Sequence, residues 1–424
     1  MARIPADVQL TNSVPVSQPA LTGNPAEPAR SLVTTNPSRP ESAGRIQSLD
    51  GLRGVAILMV LLIHFTPGAP ASGSFNYLVS RTTGFGWTGV DLFFVLSGFL
   101  ITGILYETKR HKGYFRTFYI RRTLRIFPLY YGVLIAFFTL GALLGAERIA
   151  GYAELRPNQI WLWLYLTNVK IATANSWTFA HLGLFWTLAI EEQFYIVWPA
   201  IIFMLSRRGS MLMCGFLVVQ AVILRTVLVW HGYSGSPDMG LPTYVFTFCR
   251  IDSLATGAFC ALYIRSEPSH AVSVIALNQL ARVGRYVFAA AALTIGLIFL
   301  SLKGFWWYVA IVQSVGYSVL AAFYCSLLLL AITAKQGTFI NQFFTSRFLR
   351  WFGTYSYGLY VLHAVFRPLI EFVLPTKFVE SHFGWIACYA VNAAVGITIS
   401  SGLAWLSFHL YEKRFLALKR YFAY

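Results

Sequence analysis

The chain alternates ten times between an apolar run close to the length of a bilayer crossing and a short polar connection. The runs fall at about 51–67, 88–106, 127–146, 183–205, 211–230, 243–264, 285–302, 307–333, 351–373 and 384–410. Lipid offers no partner to a backbone amide, so runs of this length and composition are predicted to cross as helices that satisfy their own hydrogen bonds. The pattern predicts an all-α fold, a polytopic transmembrane helical bundle of about ten spans. Composition agrees, with 57% hydrophobic and 12% charged residues and a mean hydropathy of +0.60. A soluble chain carries about twice that charged fraction. The stretch IWLWLYLTNV at 160–169 is too short to cross and reads as an interfacial or re-entrant piece.

The formal charge of +17 does not point to nucleic acid, because the basic residues cluster in the connections and no nucleic-acid-binding module accompanies them. KRHKGYFRTFYIRRTLR, 109–125, holds seven Lys and Arg and no acid. Further basic clusters lie at 206–208, 265–285, 335–350 and in EKRFLALKR near the end. The positive-inside bias places all of these, and both termini, on the cytoplasmic side. The expected location is a membrane crossed many times, with the basic connections on its cytoplasmic face.

Residues 1–44 are rich in Pro, Ser, Thr and Asn without periodicity and read as a disordered cytoplasmic tail, with no cleavable signal peptide. The transmembrane domain is expected over 45–415, followed by a short cytoplasmic tail at 416–424. The five cysteines lie in or beside apolar stretches and form no CxxC pair, so they indicate neither a disulfide framework nor a zinc site. No metal is expected.

The informative residues are the ionisable ones inside the spans, which are costly there and count as functional candidates. Arg53 and His64 lie eleven residues apart in SLDGLRGVAILMVLLIHF. On a helix this is three turns plus about 20°, so they share a face roughly 16 Å apart. Asp50, three residues before Arg53, suits it as an ion-pair partner or caps the helix. The imidazole of His64 suits proton transfer from a hydroxyl, although Arg53 could equally snorkel and His64 serve packing. In GVDLFFVLSGFLITG, Asp91 enters at the depth of His64 and could orient its ring, or simply favour a helix N-terminus. Ser97 and Gly98 read as close-packing small residues; the serine lacks a nucleophile-elbow context.

Arg122 and Arg125 in FYIRRTLRIFPLYY share one helix face at a cytoplasmic boundary, a placement that suits a phosphate or diphosphate as well as an ordinary basic flank. FWTLAIEEQFYIVWP brings Glu191 and Glu192 into an apolar span, where adjacent positions keep at least one from any shared partner. Arg250 and Asp252 in RIDSLATGA, and Tyr357 and His363 in SYGLYVLHA, complete the set without an assigned role.

These six motifs, in this order, resemble the acyltransferase-3 family of bacterial membrane O-acyltransferases over about 45–415. The resemblance implies transfer of an acyl group, usually acetyl, from a cytoplasmic coenzyme A thioester to a carbohydrate or other hydroxyl. By motif, the family's essential arginine and histidine fall on Arg53 and His64, its arginine pair on Arg122 and Arg125, and its acidic position on Glu191. Asp91 joins His64 and Glu191 as a catalytic candidate. Arg250, Asp252, Tyr357 and His363 match by position, as acceptor-side or structural support. No tightly bound cofactor is implied, only acyl-CoA as co-substrate. The expected donor route has the three arginines holding the phosphates and the acyl arm reaching inward to His64, as general base or as acyl carrier. Some members carry a fused SGNH-type hydrolase domain. None is expected here, so either the membrane unit suffices or a separate periplasmic transferase completes transfer as a partner. The same chemistry on a small-molecule or lipid acceptor is an alternative. A proton-coupled transporter is another, though the two halves show no matching pair of broken helices.

Overall fold

The computed structural model describes residues 47–67, 75–145, 148–265, 272–374 and 376–423; the expected disordered tail at 1–44 lies outside the described residues. Ten long helices follow one another: α1 (Gln47–His64), α2 (Gly89–Thr108), α3 (Tyr114–Leu144), α4 (Trp186–Met204), α5 (Arg207–Trp230), α6 (Thr247–Tyr263), α7 (Val274–Ser301), α8 (Tyr317–Thr333), α9 (Arg347–Val373) and α10 (Thr376–Ser407). Among the described residues, nine helical stretches are long and apolar enough to cross a bilayer. The tenth long helix, α9, has 27 residues but carries Arg347, Arg350, Arg367 and Glu371, which lower its hydropathy. The protein is a polytopic helical bundle.

Local chemistry marks the helix ends. Ser206, Ser273 and Ser346 accept hydrogen bonds from the backbone amides of Gly209, Ala276 and Leu349, capping α5, α7 and α9. In α10 the crossing proper starts beyond Gly384, whose φ of 82° breaks the helix near the boundary expected for the last span. The 160–169 stretch does not cross: it forms a short helix, Gln159–Trp163, and runs into a second, Thr167–Ala174.

Two helix pairs pack with backbones almost touching. A Cβ on Gly98 of α2 would fall on the Leu254 carbonyl of α6, and one on Gly257 of α6 would fall on the Val95 carbonyl of α2. α1 and α9 meet the same way, Gly54 against Leu349 and Gly353 against Asp50. Where lipid is as apolar as the side chains, such close contact supplies the association.

Charge buried in the bundle is paired across helices. Arg250 of α6 donates to Asp91 of α2 at 2.7 Å, and Arg225 of α5 donates to Asp252 of α6 at 2.9 Å. All four side chains are completely buried. Ser318 of α8 donates to Asp252 at 2.6 Å and accepts from Arg225 at 2.7 Å, so α5, α6 and α8 share one polar knot. The five cysteines are buried and unbridged.

Candidate functional site

A narrow cavity of about 100 Å³ lies among α1, α2, α3, α4 and α9. Its walls carry the guanidiniums of Arg53, Arg122 and Arg125 together with the carboxylates of Glu191 and Glu192. The expected grouping of the three arginines therefore forms around one space. Arg53 sits 3.7 Å from Asp50, one helical turn earlier, as the spacing predicts. Arg122 lies 5.5 Å over the ring of Tyr195 and 5.8 Å over that of Phe118, which orients it. Tyr357 ties α9 to α3 by donating its hydroxyl to the Ile126 carbonyl at 2.6 Å. Space for only a few water-sized groups admits a slender chain and excludes a bulky anionic head, which is left to the cationic side.

The two adjacent glutamates both border the cavity but do different things. Glu191 accepts a hydrogen bond from Ser97 of α2 at 2.5 Å. Tyr195, one turn along α4, donates its hydroxyl to the same serine oxygen at 3.1 Å. Glu192 is buried, and its Oε1 atom has no hydrogen-bond partner among the described residues. Ser97 thus faces the cavity rather than the helix seam. It is its neighbour Gly98 that makes the close contact with α6, and this contact fixes the backbone from which Ser97 projects.

At the inner end the walls are Val90, Phe93, Thr187 and Tyr360. The Tyr360 hydroxyl accepts from Thr187 at 2.7 Å and donates to the Leu184 carbonyl at 2.9 Å. Its ring meets His363 edge-on at 5.8 Å and Phe93 at 6.4 Å. Neither His64 nor His363 borders the cavity; they meet each other behind Tyr360. Nε2 of His363 is 3.3 Å from Nδ1 of His64, and Nδ1 of His363 is 2.9 Å from the Leu359 carbonyl. A carbonyl only accepts, so with both rings neutral Nδ1 of His363 carries its hydrogen and Nε2 accepts one from Nδ1 of His64. Nε2 of His64 is then the nitrogen with a lone pair to offer as base.

Asp91 does not take the place beside His64 that its depth suggested. It forms the buried pair with Arg250 and accepts from Ser253 at 3.0 Å. The partner of His64 is instead His363, contributed by a helix nearly three hundred residues later. Arg250 also lies 4.1 Å over the Tyr317 ring, and Asp252 belongs to the Arg225 knot, so both hold helices together. Sequence reasoning missed Arg225, although an arginine in the middle of an apolar helix is itself a signal. It also passed over Thr187 and Tyr360, whose hydroxyls stand out only once α4 and α9 are docked.

A family model described as an acyltransferase domain matches residues 46–405. Among curated relatives, the peptidoglycan O-acetyltransferase of Listeria monocytogenes is 28% identical over 363 residues, covering 82% of this chain and 53% of that protein. The Bacillus subtilis protein YrhL is 29% identical over 385 residues, covering 87% of this chain and 54% of its own length. The chain thus spans about half the length of these relatives. No solved structure matches.

Proposed function

We propose, on the premise that this chain belongs to the acyltransferase domain family, that it is a multi-pass membrane O-acyltransferase using acyl-CoA. The group moved is acetyl and the acceptor a hydroxyl of a cell-surface or periplasmic carbohydrate. The observation that carries this reading is the narrow cavity lined by Arg53, Arg122 and Arg125 together with Ser97 and Glu191. Coenzyme A presents anionic phosphates at one end and a thin thioester arm at the other, and guanidiniums match the first as a slot matches the second. The acyl donor binds as co-substrate; no resident cofactor enters the reading.

Chain orientation follows from the basic connections: both termini are cytoplasmic, the donor enters from the cytoplasm, and the membrane is the bacterial inner membrane. His64, held by His363 with Nε2 unprotonated, takes the proton of the acceptor hydroxyl. The carbohydrate class is carried from the relative whose name specifies peptidoglycan. The whole relative's activity on peptidoglycan is part of this proposal, since this chain spans about half of that protein.

The test is mass spectrometry of surface glycans and lipids from cells expressing the wild type, His64→Ala, or no protein. An acetyl increment that requires the wild type supports the assignment and identifies the acceptor. Its absence from every glycan and lipid, with purified protein failing to bind acetyl-CoA, would sink it.

A further inference from the structure

Resting on that reading, we infer that Ser97 is a nucleophile that takes the acyl group from coenzyme A before it reaches the acceptor. A chain entering past the arginines meets the Ser97 hydroxyl first, because that hydroxyl lines the cavity while both imidazoles lie behind Tyr360. The serine is built as an activated hydroxyl. Its hydrogen points to Oε1 of Glu191 at 2.5 Å, and its lone pair receives the Tyr195 hydroxyl at 3.1 Å. A hydroxyl nucleophile hydrogen-bonded to a neighbouring base is the arrangement acyl transfer uses on unrelated folds; here Tyr195 orients the serine oxygen. The guanidiniums of Arg53 and Arg122 border the same space and face the charge that develops on the thioester oxygen.

The step balances as follows. The Ser97 oxygen bonds to the acyl carbon, the carbon–sulfur bond breaks, Glu191 receives the serine proton, and coenzyme A departs as thiolate. In the second half the acceptor oxygen bonds to the acyl carbon as the serine ester bond breaks. The acceptor proton passes to His64, and Glu191 returns its proton to the Ser97 oxygen. Imidazolium and thiolate then exchange one proton through water, leaving an acylated acceptor and free coenzyme A. For the acyl group to pass from Ser97 towards the histidines, Tyr360 must release Leu184 and Thr187 and turn aside. The geometry therefore sets the order: acylation of Ser97 first, opening second.

The experiment uses the full chain in detergent micelles, given acetyl-CoA without acceptor, quenched in acid and mapped by peptide mass spectrometry. The expected result is one acetyl group on the peptide containing Ser97, formed with an equal burst of coenzyme A. The adduct should be absent in Ser97→Ala and slower to appear in Glu191→Gln, and Ser97→Ala should lose about a hundredfold or more in turnover while still binding acetyl-CoA. Ser97→Cys guards against misfolding of the alanine variant, since it should trap a thioester that neutral hydroxylamine cleaves. Acetyl found on His64 or His363 instead, or wild-type turnover by Ser97→Ala that still binds acetyl-CoA, would overturn the inference and leave the enzyme assignment standing. A wild type that neither binds acetyl-CoA nor transfers acetyl would overturn both.

Discussion

Nε2 of His363 lies 3.3 Å from Nδ1 of His64, joining the last residue of α1 to the middle of α9. The contact does for His64 what a carboxylate does in other acid–base dyads: it selects which nitrogen carries the hydrogen. A second imidazole does this without adding charge to an apolar layer. His363→Ala should therefore impair the reaction almost as His64→Ala does, each by about 10²–10⁴-fold in turnover. His363→Gln, which keeps an acceptor, should recover part of it. Acetyl release measured at saturating acetyl-CoA checks this, and an unimpaired His363→Ala would show that His64 needs no partner.

Arg53, Arg122 and Arg125 are expected to act on donor affinity. Each replacement by Ala should raise the KM for acetyl-CoA about tenfold or more, the loss of one charge-assisted contact, with a smaller change in kcat. The effect should shrink for a short acyl-pantetheine donor that lacks the nucleotide phosphates. Equal losses for both donors would remove the arginines from phosphate binding.

Glu191 and Glu192 should separate cleanly. Glu191→Gln disables the base on Ser97 and should lower kcat. Glu192→Gln replaces a buried carboxyl whose Oε1 has no partner among the described residues by an amide of the same shape, and should leave both kcat and stability nearly intact. Thermal unfolding in detergent alongside steady-state kinetics distinguishes the two. Matching kinetic losses would mean the pair works as a unit.

Asp91 and Arg250 are expected to matter for stability before chemistry. Removing either one strands a completely buried charge and should cost about 3–5 kcal/mol. The joint variant Asp91→Ala with Arg250→Met should be less damaged than the sum of the single changes. Yields of folded protein on size-exclusion chromatography give the readout; additive losses would indicate that the ion pair is not the coupling.

Gly98→Ala should destabilise by about 1–3 kcal/mol, since the added methyl meets the Leu254 carbonyl. Gly402→Ala is the control, because nothing lies within 4 Å of the added atom there. Equal thermal midpoints for the two variants would contradict the close α2–α6 contact.

Much of the fold was legible because bilayer length and hydropathy are properties of a single segment, and so is the one-turn relation of Asp50 to Arg53. The grouping of Arg53, Arg122 and Arg125 was legible through motif resemblance as well as charge, whereas Glu191 was expected at the depth of His64 and instead lines the cavity with the arginines. What the sequence hid was every relation between helices. Asp91 and His64 reach similar depth, yet depth does not specify which way a helix turns, and Asp91 faces Arg250. Ser97 looked like a packing residue because it precedes a glycine that is one; only the docking of α4 shows its hydroxyl on Glu191.

The Arg225–Asp252 knot bears on how the chain is made. Helix α5 leaves the insertion machinery before α6 exists, carrying an arginine whose partners, Asp252, the Cys249 carbonyl and Ser318, all arrive later. Alone in hydrocarbon that side chain costs several kcal/mol. Helix α5 must then wait at the mouth of the insertion channel, or reach for the headgroups, until α6 emerges to receive it. The order of synthesis makes α5 and α6 a unit of delivery to the bilayer, and α8 the lock that closes behind them.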